Sequence, residues 1–177
     1  MPDLVIDISD QQSLLLIHAE RLREVVGRVL TEELITSAEI SLALVDDAAI
    51  HQVNRNFLGH DFPTDVISFL LDEHSELTSS VDALGQAATP CGDSTAGTTR
   101  VRMRRLEGEL VVSTETAIRE SVNHGWSAED ELVLYIVHGL LHLCGYDDLT
   151  DEARPQMRVR ERQLLAHWQL TPTGLEA

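Results

Sequence analysis

The chain contains no lysine: all 13 of its basic side chains are arginines, set against 30 aspartates and glutamates. The formal net charge of −17 and isoelectric point near 4.6 argue against non-specific attachment to nucleic acid, because phosphate contacts depend on Lys and Arg releasing counterions. Cysteine is scarce as well. Cys91 in a polar stretch and Cys144 in an apolar one have no spacing that suggests a disulfide framework, so a reducing compartment is expected. No apolar run reaches the roughly 18–20 residues of a membrane span; the longest, Leu132 to Cys144, is interrupted by His138 and His142 and reads as a buried helix. Met1 to Asp10 lacks the basic start and apolar stretch of a secretory signal, so a cytoplasmic location is expected, with no membrane partner.

What is present is the composition of an ordinary globular protein, 43% hydrophobic and 24% charged, and the 177 residues suit a single domain spanning 1–177. Leu4 to Ile8 alternates like a short strand, and Ser13 to Leu30 has apolar positions at helical spacing. Glu39 to Val45 predicts a second strand with Ile40, Leu42 and Leu44 on one face, followed by a helix capped by Asp46 or Asp47, running to about Phe57 and ended by Gly59. Val66 to Leu71 reads as a third, well-buried strand. From Asp72 to Arg105 the chain is rich in Ser, Thr, Gly, Ala and Asp without a sustained apolar period, which predicts a flexible insertion at about 72–105.

Glu109 to Ser113 resumes as a strand, and Ser113 or Thr114 caps a helix to about His124. Ser127 with Asp130 resembles a capping box before the apolar helix Glu131 to Cys144. Gly145 stands where a left-handed residue is wanted, and a last helix with Pro155 in its first turn extends to about Trp168.

His138 and His142, four apart on a predicted helix, share one face about a turn apart, like the paired ligands of helical zinc sites. Two satisfied core histidines would be the plainer explanation. Asp148 lies beyond the expected reversal and can return a carboxylate to the imidazoles, with Asp147 competing for ligand or turn roles. Two nitrogens and one oxygen suit zinc and leave a fourth position open, the catalytic arrangement. The residue after the first histidine is Gly139, where zinc peptidases carry their general-base Glu, so peptide hydrolysis is disfavoured.

The string His138-Gly139-Leu140-Leu141-His142-Leu143-Cys144-Gly145-Tyr146-Asp147 resembles the signature of the YbeY family, bacterial metal-dependent endoribonucleases of ribosomal RNA maturation. Asn54 and Pro63-Thr64-Asp65-Val66-Ile67-Ser68-Phe69 are similar to its second motif, Gly108-Glu109-Leu110-Val111-Val112 to its third, and Met157 and Leu164 fit its closing helix. The resemblance spans most of the chain apart from 72–105. It implies an α+β fold, a small mixed β-sheet of about four strands flanked by helices, with the metal on a long helix and the following turn. It also implies that His138 and His142 act in catalysis through the metal, with Asp148 where the family usually has a third histidine. One Zn2+ per chain is expected, and Mn2+ or Ni2+ also suits the donors. The family commonly has an arginine before the glycine corresponding to Gly59, where this chain has Leu58; Arg55, one helical turn earlier, is expected to take over the phosphate contact, against the plainer reading of a solvated arginine.

The leading expectation is a single-strand-specific, metal-dependent endoribonuclease acting in rRNA maturation and ribosome quality control, with ribosomal RNA and ribosomal proteins as partners. Arg100, Arg102, Arg104 and Arg105 are expected to help hold RNA, whereas Arg154, Arg158, Arg160 and Arg162 read as balancing neighbouring carboxylates. The alternative is a ribosome-associated assembly factor that keeps the metal with little or no catalysis, for which Leu58, Asp148 and the acidic surface speak. A metal hydrolase acting on another phosphoester rests only on the open coordination position.

Overall fold

A computed structural model of the protein describes residues 2–79 and 100–172, without the side chains of 76–79 and 100–102. In chain order the elements are β1 (Asp3–Asp10), α1 (Ala19–Glu32), β2 (Ser37–Val45), α2 (Asp47–Val53) running into a π turn (Asn54–Leu58), β3 (Val66–Ser79), β4 (Arg100–Ser113), α3 (Thr114–His124), α4 (Ala128–Leu143) and α5 (Arg154–Leu165), closed by a 3-10 turn (Ala166–Trp168). The sheet order is β1-β2-β4-β3, with β1, β2 and β4 parallel and β3 antiparallel to β4. This is the α+β architecture with a four-stranded mixed sheet that the resemblance implies. Among the described residues no helix is long and apolar enough to cross a membrane.

The core lies on one face of the sheet, where Ile40, Leu42 and Leu44 of β2 and Leu106, Leu110 and Val112 of β4 meet α1 and α4. A smaller cluster of Val45, Ile50, Ile67 and Val111 seals the other face under α2. Helix α4 is buried along most of its length because it packs on the sheet while α1, α3 and α5 pack against it. Its N-terminus is fixed by the complete capping box of Ser127 and Asp130. Gly139 lets α4 approach the sheet: a Cβ there would lie 2.8 Å from Leu110 Cδ2 and 3.1 Å from Val66 Cγ2.

Three expectations are corrected. The first helix begins at Ala19 and not Ser13, because the Gln12 side-chain oxygen accepts from the Leu14 and Leu15 amides and holds that stretch in a turn. Strand β3 is not well buried: it is the sheet edge, Ile67 is buried, and Leu70 and Leu71 are exposed. The insertion expected at 72–105 is structured at both ends, since β3 continues to Ser79 and β4 starts at Arg100, with Glu73 opposite Leu106 and Ser75 opposite Arg104. Ladder hydrogen bonds satisfy the backbone of this two-stranded arm without needing an apolar face, which is why its polar composition misleads. Cys91 and the rest of the insertion lie outside the described residues.

Asp47 joins α2 to the end of β4 and to α3, accepting from Ser113 Oγ, from Thr116 Oγ1 at 2.7 Å and from Arg119 at 3.0 Å. Burial alone would raise its pKa, but these hydrogen bonds and the Arg119 charge outweigh it and hold the carboxyl below the usual 3.8. A depressed folded-state pKa gives stability that is present above the unfolded-state value and is lost as pH falls through the folded one. Asp47→Asn is therefore expected to cost about 1–3 kcal/mol at pH 7 in urea denaturation. The difference from wild type should shrink as pH falls below 3.8. Gly139→Val should cost about 1–3 kcal/mol in the same measurement, through overpacking against Leu110 and Val66.

Candidate metal centre

His138 and His142 project from one face of α4, their Nε2 atoms 3.1 Å apart. The other ring nitrogens decide what those atoms can do. His142 Nδ1 lies 3.1 Å from the Tyr146 carbonyl oxygen, which can only accept, so Nδ1 carries the proton. His138 Nδ1 lies 3.0 Å from Glu161 Oε1 and donates to that carboxylate. In its neutral form each imidazole therefore turns a bare Nε2 lone pair toward the other. Two lone pairs at this separation repel unless a cation sits between them.

Asp148 completes the group: its Oδ1 is 3.6 Å from His142 Nε2 and its Oδ2 is 3.8 Å from His138 Nε2. These three side chains are the group of described residues that could hold a metal ion. Two nitrogens bound tetrahedrally at about 2.0–2.1 Å stand about 3.3 Å apart, close to the spacing here, so the donors fit zinc in spacing as well as in chemistry. The sequence favours Asp148 as the ligand, with Asp147 competing. Asp147 Oδ1 accepts the Leu149 amide at 3.0 Å and caps the turn, leaving Asp148 to face the histidines.

The turn that delivers Asp148 follows from Gly145, whose φ of +97° is a conformation other residues rarely adopt. The Tyr146 amide closes the helix end on Leu141 O at 3.0 Å, and the Tyr146 hydroxyl donates to Glu33 at 3.1 Å. Glu33 also receives Arg160, and Arg154 Nε donates to the Asp148 carbonyl at 3.0 Å. The return path is thus tied to both α1 and α5.

Burial of the His138 ring opposes its protonation, but the hydrogen bond and charge of Glu161, with the charges of Asp148 and Asp65, outweigh it and raise its pKa above the ordinary 6.5. The field at His138 favours a positive species. Cys144 is no competing ligand at neutral pH, because burial, with the Glu33 charge, pushes its thiol up to about 12.

An open cleft lies beside His138 and Asp148, lined also by Asp65, His124, Arg158 and Glu161. Arg55 is not brought to it: the side chain is exposed on the π turn, 3.8 Å from Asp61. A π turn is wider than an α turn, which removes the one-turn equivalence with Leu58 on which that expectation rested. Arg104 is held as a brace, 3.1 Å from Glu73 and 3.3 Å from the carbonyls of Glu33 and Cys144. Arg105 is exposed, and strand alternation puts it on the face opposite Arg104, so the two do not form one patch. Arg100 and Arg102 belong to β4, but their side chains lie outside the described residues.

Sequence reasoning missed Glu161 and gave Asp65 no role. Glu161 is only 4% exposed and sits between Met157 and Leu164 on the apolar stripe of α5, so a carboxylate at a core position was the available signal. Asp65 belongs to the second quoted motif; its Oδ1 accepts from Thr64 Oγ1 at 3.0 Å and from the Val66 amide at 2.8 Å.

A family profile described as Endoribonuclease YbeY matches residues 7–169. Among curated proteins, the chain is 38% identical over 152 residues to the Endoribonuclease YbeY of Moorella thermoacetica, covering 83% of this chain and 86% of that one. It is 38% identical over 129 residues to the Endoribonuclease YbeY of Desulfitobacterium hafniense, covering 73% and 71%. Among solved structures, the solution structure of a Thermotoga maritima protein superposes with a TM-score of 0.55 at 21% identity, over 93% of this chain and 92% of that one, a likeness of fold.

Glu161→Gln keeps the shape of the side chain but weakens the acceptor that orients His138. It should lower zinc affinity about 10–100-fold, read by competition with a chromophoric chelator, with the helical circular dichroism unchanged.

Proposed function

Because this chain belongs to the YbeY endoribonuclease family, we propose that it is a metal-dependent endoribonuclease that cleaves single-stranded ribosomal RNA in the cytoplasm, with His138, His142 and Asp148 holding one zinc ion. The observation that carries the reading is the pair of Nε2 atoms 3.1 Å apart beside a carboxylate, at the wall of an open cleft. Manganese or nickel would suit the same donors less specifically.

When bound, such an ion supplies Lewis acidity toward a phosphodiester and toward water. The protein's own residues supply the rest. Glu161 and the Tyr146 carbonyl keep the Nδ1 protons in place, so both rings present Nε2 without reorganising. Asp148 adds a negative charge where the family usually has a neutral histidine, which moderates the attraction of the site for phosphate. With Asp65, Asp148 and Glu161 all lining it, the cleft would repel an RNA backbone unless a cation offset them. The acidic surface elsewhere suits docking on basic ribosomal proteins. Residues 1–177, insertion included, serve in this reading as one domain. The assembly-factor alternative is not favoured, since the relatives are named as endoribonucleases.

The test is metal content together with cleavage of a structured ribosomal RNA, for wild type and His142→Ala. About one zinc per wild-type chain, and cleavage that disappears in the variant and on chelation, are expected. Metal without cleavage would overturn the enzyme reading, and absence of metal from wild type would overturn the centre itself.

A further inference from the structure

The arginines of α5 divide into two sets by helical phase. Arg160 turns toward α1, with Nε on Glu33 and NH2 3.3 Å from Glu32, and is a structural clasp. Arg154, Arg158 and Arg162 recur every four residues, fall on one face about 6 Å apart along the axis, and line one shallow groove with Asp151, Pro155 and Val159. Arg158 is shared between that groove and the cleft beside His138 and Asp148, and it is the arginine among the described residues that lines the cleft. Arg158 is half-buried, and its guanidinium makes no ion pair or hydrogen bond among the described residues, in a chain with 30 acidic side chains. Arg154 is held by the Asp148 carbonyl and by an exposed pair with Asp151 at 3.0 Å, a surface contact that a phosphate can replace at little cost.

Building on the endoribonuclease reading, we propose that Arg158 grips the RNA phosphate next to the metal centre, and that the Arg154–Arg158–Arg162 face of α5 carries the single-stranded backbone away from the cleft. The chemistry fits the position. A planar guanidinium offers a fork of donors to phosphate oxygens, and one beside Asp65, Asp148 and Glu161 supplies positive charge that the metal donors do not. The duty assigned by sequence to Arg55 or to the arginines of β4 thereby falls to α5, the element that also orients His138 through Glu161.

The test compares zinc-loaded full-length wild type with Arg158→Ala, Arg158→Lys and, as a control for loss of one charge, Arg28→Ala on the exposed face of α1. The probes are a single-stranded RNA for cleavage and its 2′-deoxy analogue for binding by fluorescence anisotropy across a salt series. Arg158→Ala should weaken binding about five- to tenfold, raise KM more than it lowers kcat, and flatten the slope of log affinity against log salt by about 0.7, the loss of one single-strand phosphate contact. Arg158→Lys should recover most of the slope and part of the affinity, and zinc content should not change. If Arg158→Ala matches Arg28→Ala in affinity and slope, the proposal is overturned, as it is if wild type does not bind the strand. A wild type that binds through Arg158 but does not cleave would overturn the endoribonuclease reading while leaving the phosphate contact standing.

Discussion

Two imidazoles on successive turns of a buried helix can serve a common cation only if their remaining nitrogens are satisfied elsewhere, and that requirement organises much of this molecule. The Nδ1 of His138 needs an acceptor from another element, and Glu161 of α5 provides it across 23 residues of sequence. The Nδ1 of His142 needs one from the chain just beyond its own helix, and the Tyr146 carbonyl provides it because Gly145 reverses the backbone. Once both protons are fixed, the Nε2 atoms converge at 3.1 Å, and Asp148, delivered by the same reversal, joins them in a group that could hold a metal ion. The docking of α5 and the turn after α4 are thus both part of the centre.

Packing then protects this geometry. Helix α4 lies against β4 and β3 at a distance set by Gly139, next to the first histidine, so a larger residue there would displace the helix that carries both imidazoles. Gly108 makes the matching allowance on β4, where a Cβ would stand 2.7 Å from Leu143 Cδ1. Glu33 gathers Tyr146 and Arg160 on one carboxylate and so binds the turn and α5 to the end of α1. A precise site is held by rigid elements, with loops confined to the approach.

Charge is arranged less by amount than by place. With an excess of carboxylates overall, four of the described arginines are drawn into pairs that brace the fold: Arg21 to α4, Arg104 to β3, Arg119 to α2 and Arg160 to the end of α1. Arg158 stands apart from these because it faces the cleft. The carboxylates of Asp65, Asp148 and Glu161 together make the cleft more negative. A guanidinium contributed from α5 offsets that change locally, which a global net charge does not reveal.

The histidine pair, the reversal and most of the elements were legible in the sequence, because these depend on short spacings: four residues between histidines, a capping Ser and Asp three apart, a glycine at a helix end. It also carried the four-stranded α+β architecture through its family motifs. Helix ends at Ala19, the edge position of β3 and the extension of its arm to Ser79 escaped it, since a side-chain cap, a place in the sheet and a polar ladder leave no apolar period to read. Folding alone reveals Asp147 capping the turn with Asp148 facing the histidines, Glu161 behind His138, and Arg158 at the cleft apart from Arg160 in its clasp. The contact of His138 with Glu161 spans 23 residues of chain and that of Arg160 with Glu33 spans 127, and a contact between elements distant in sequence writes no local pattern from which it could be inferred.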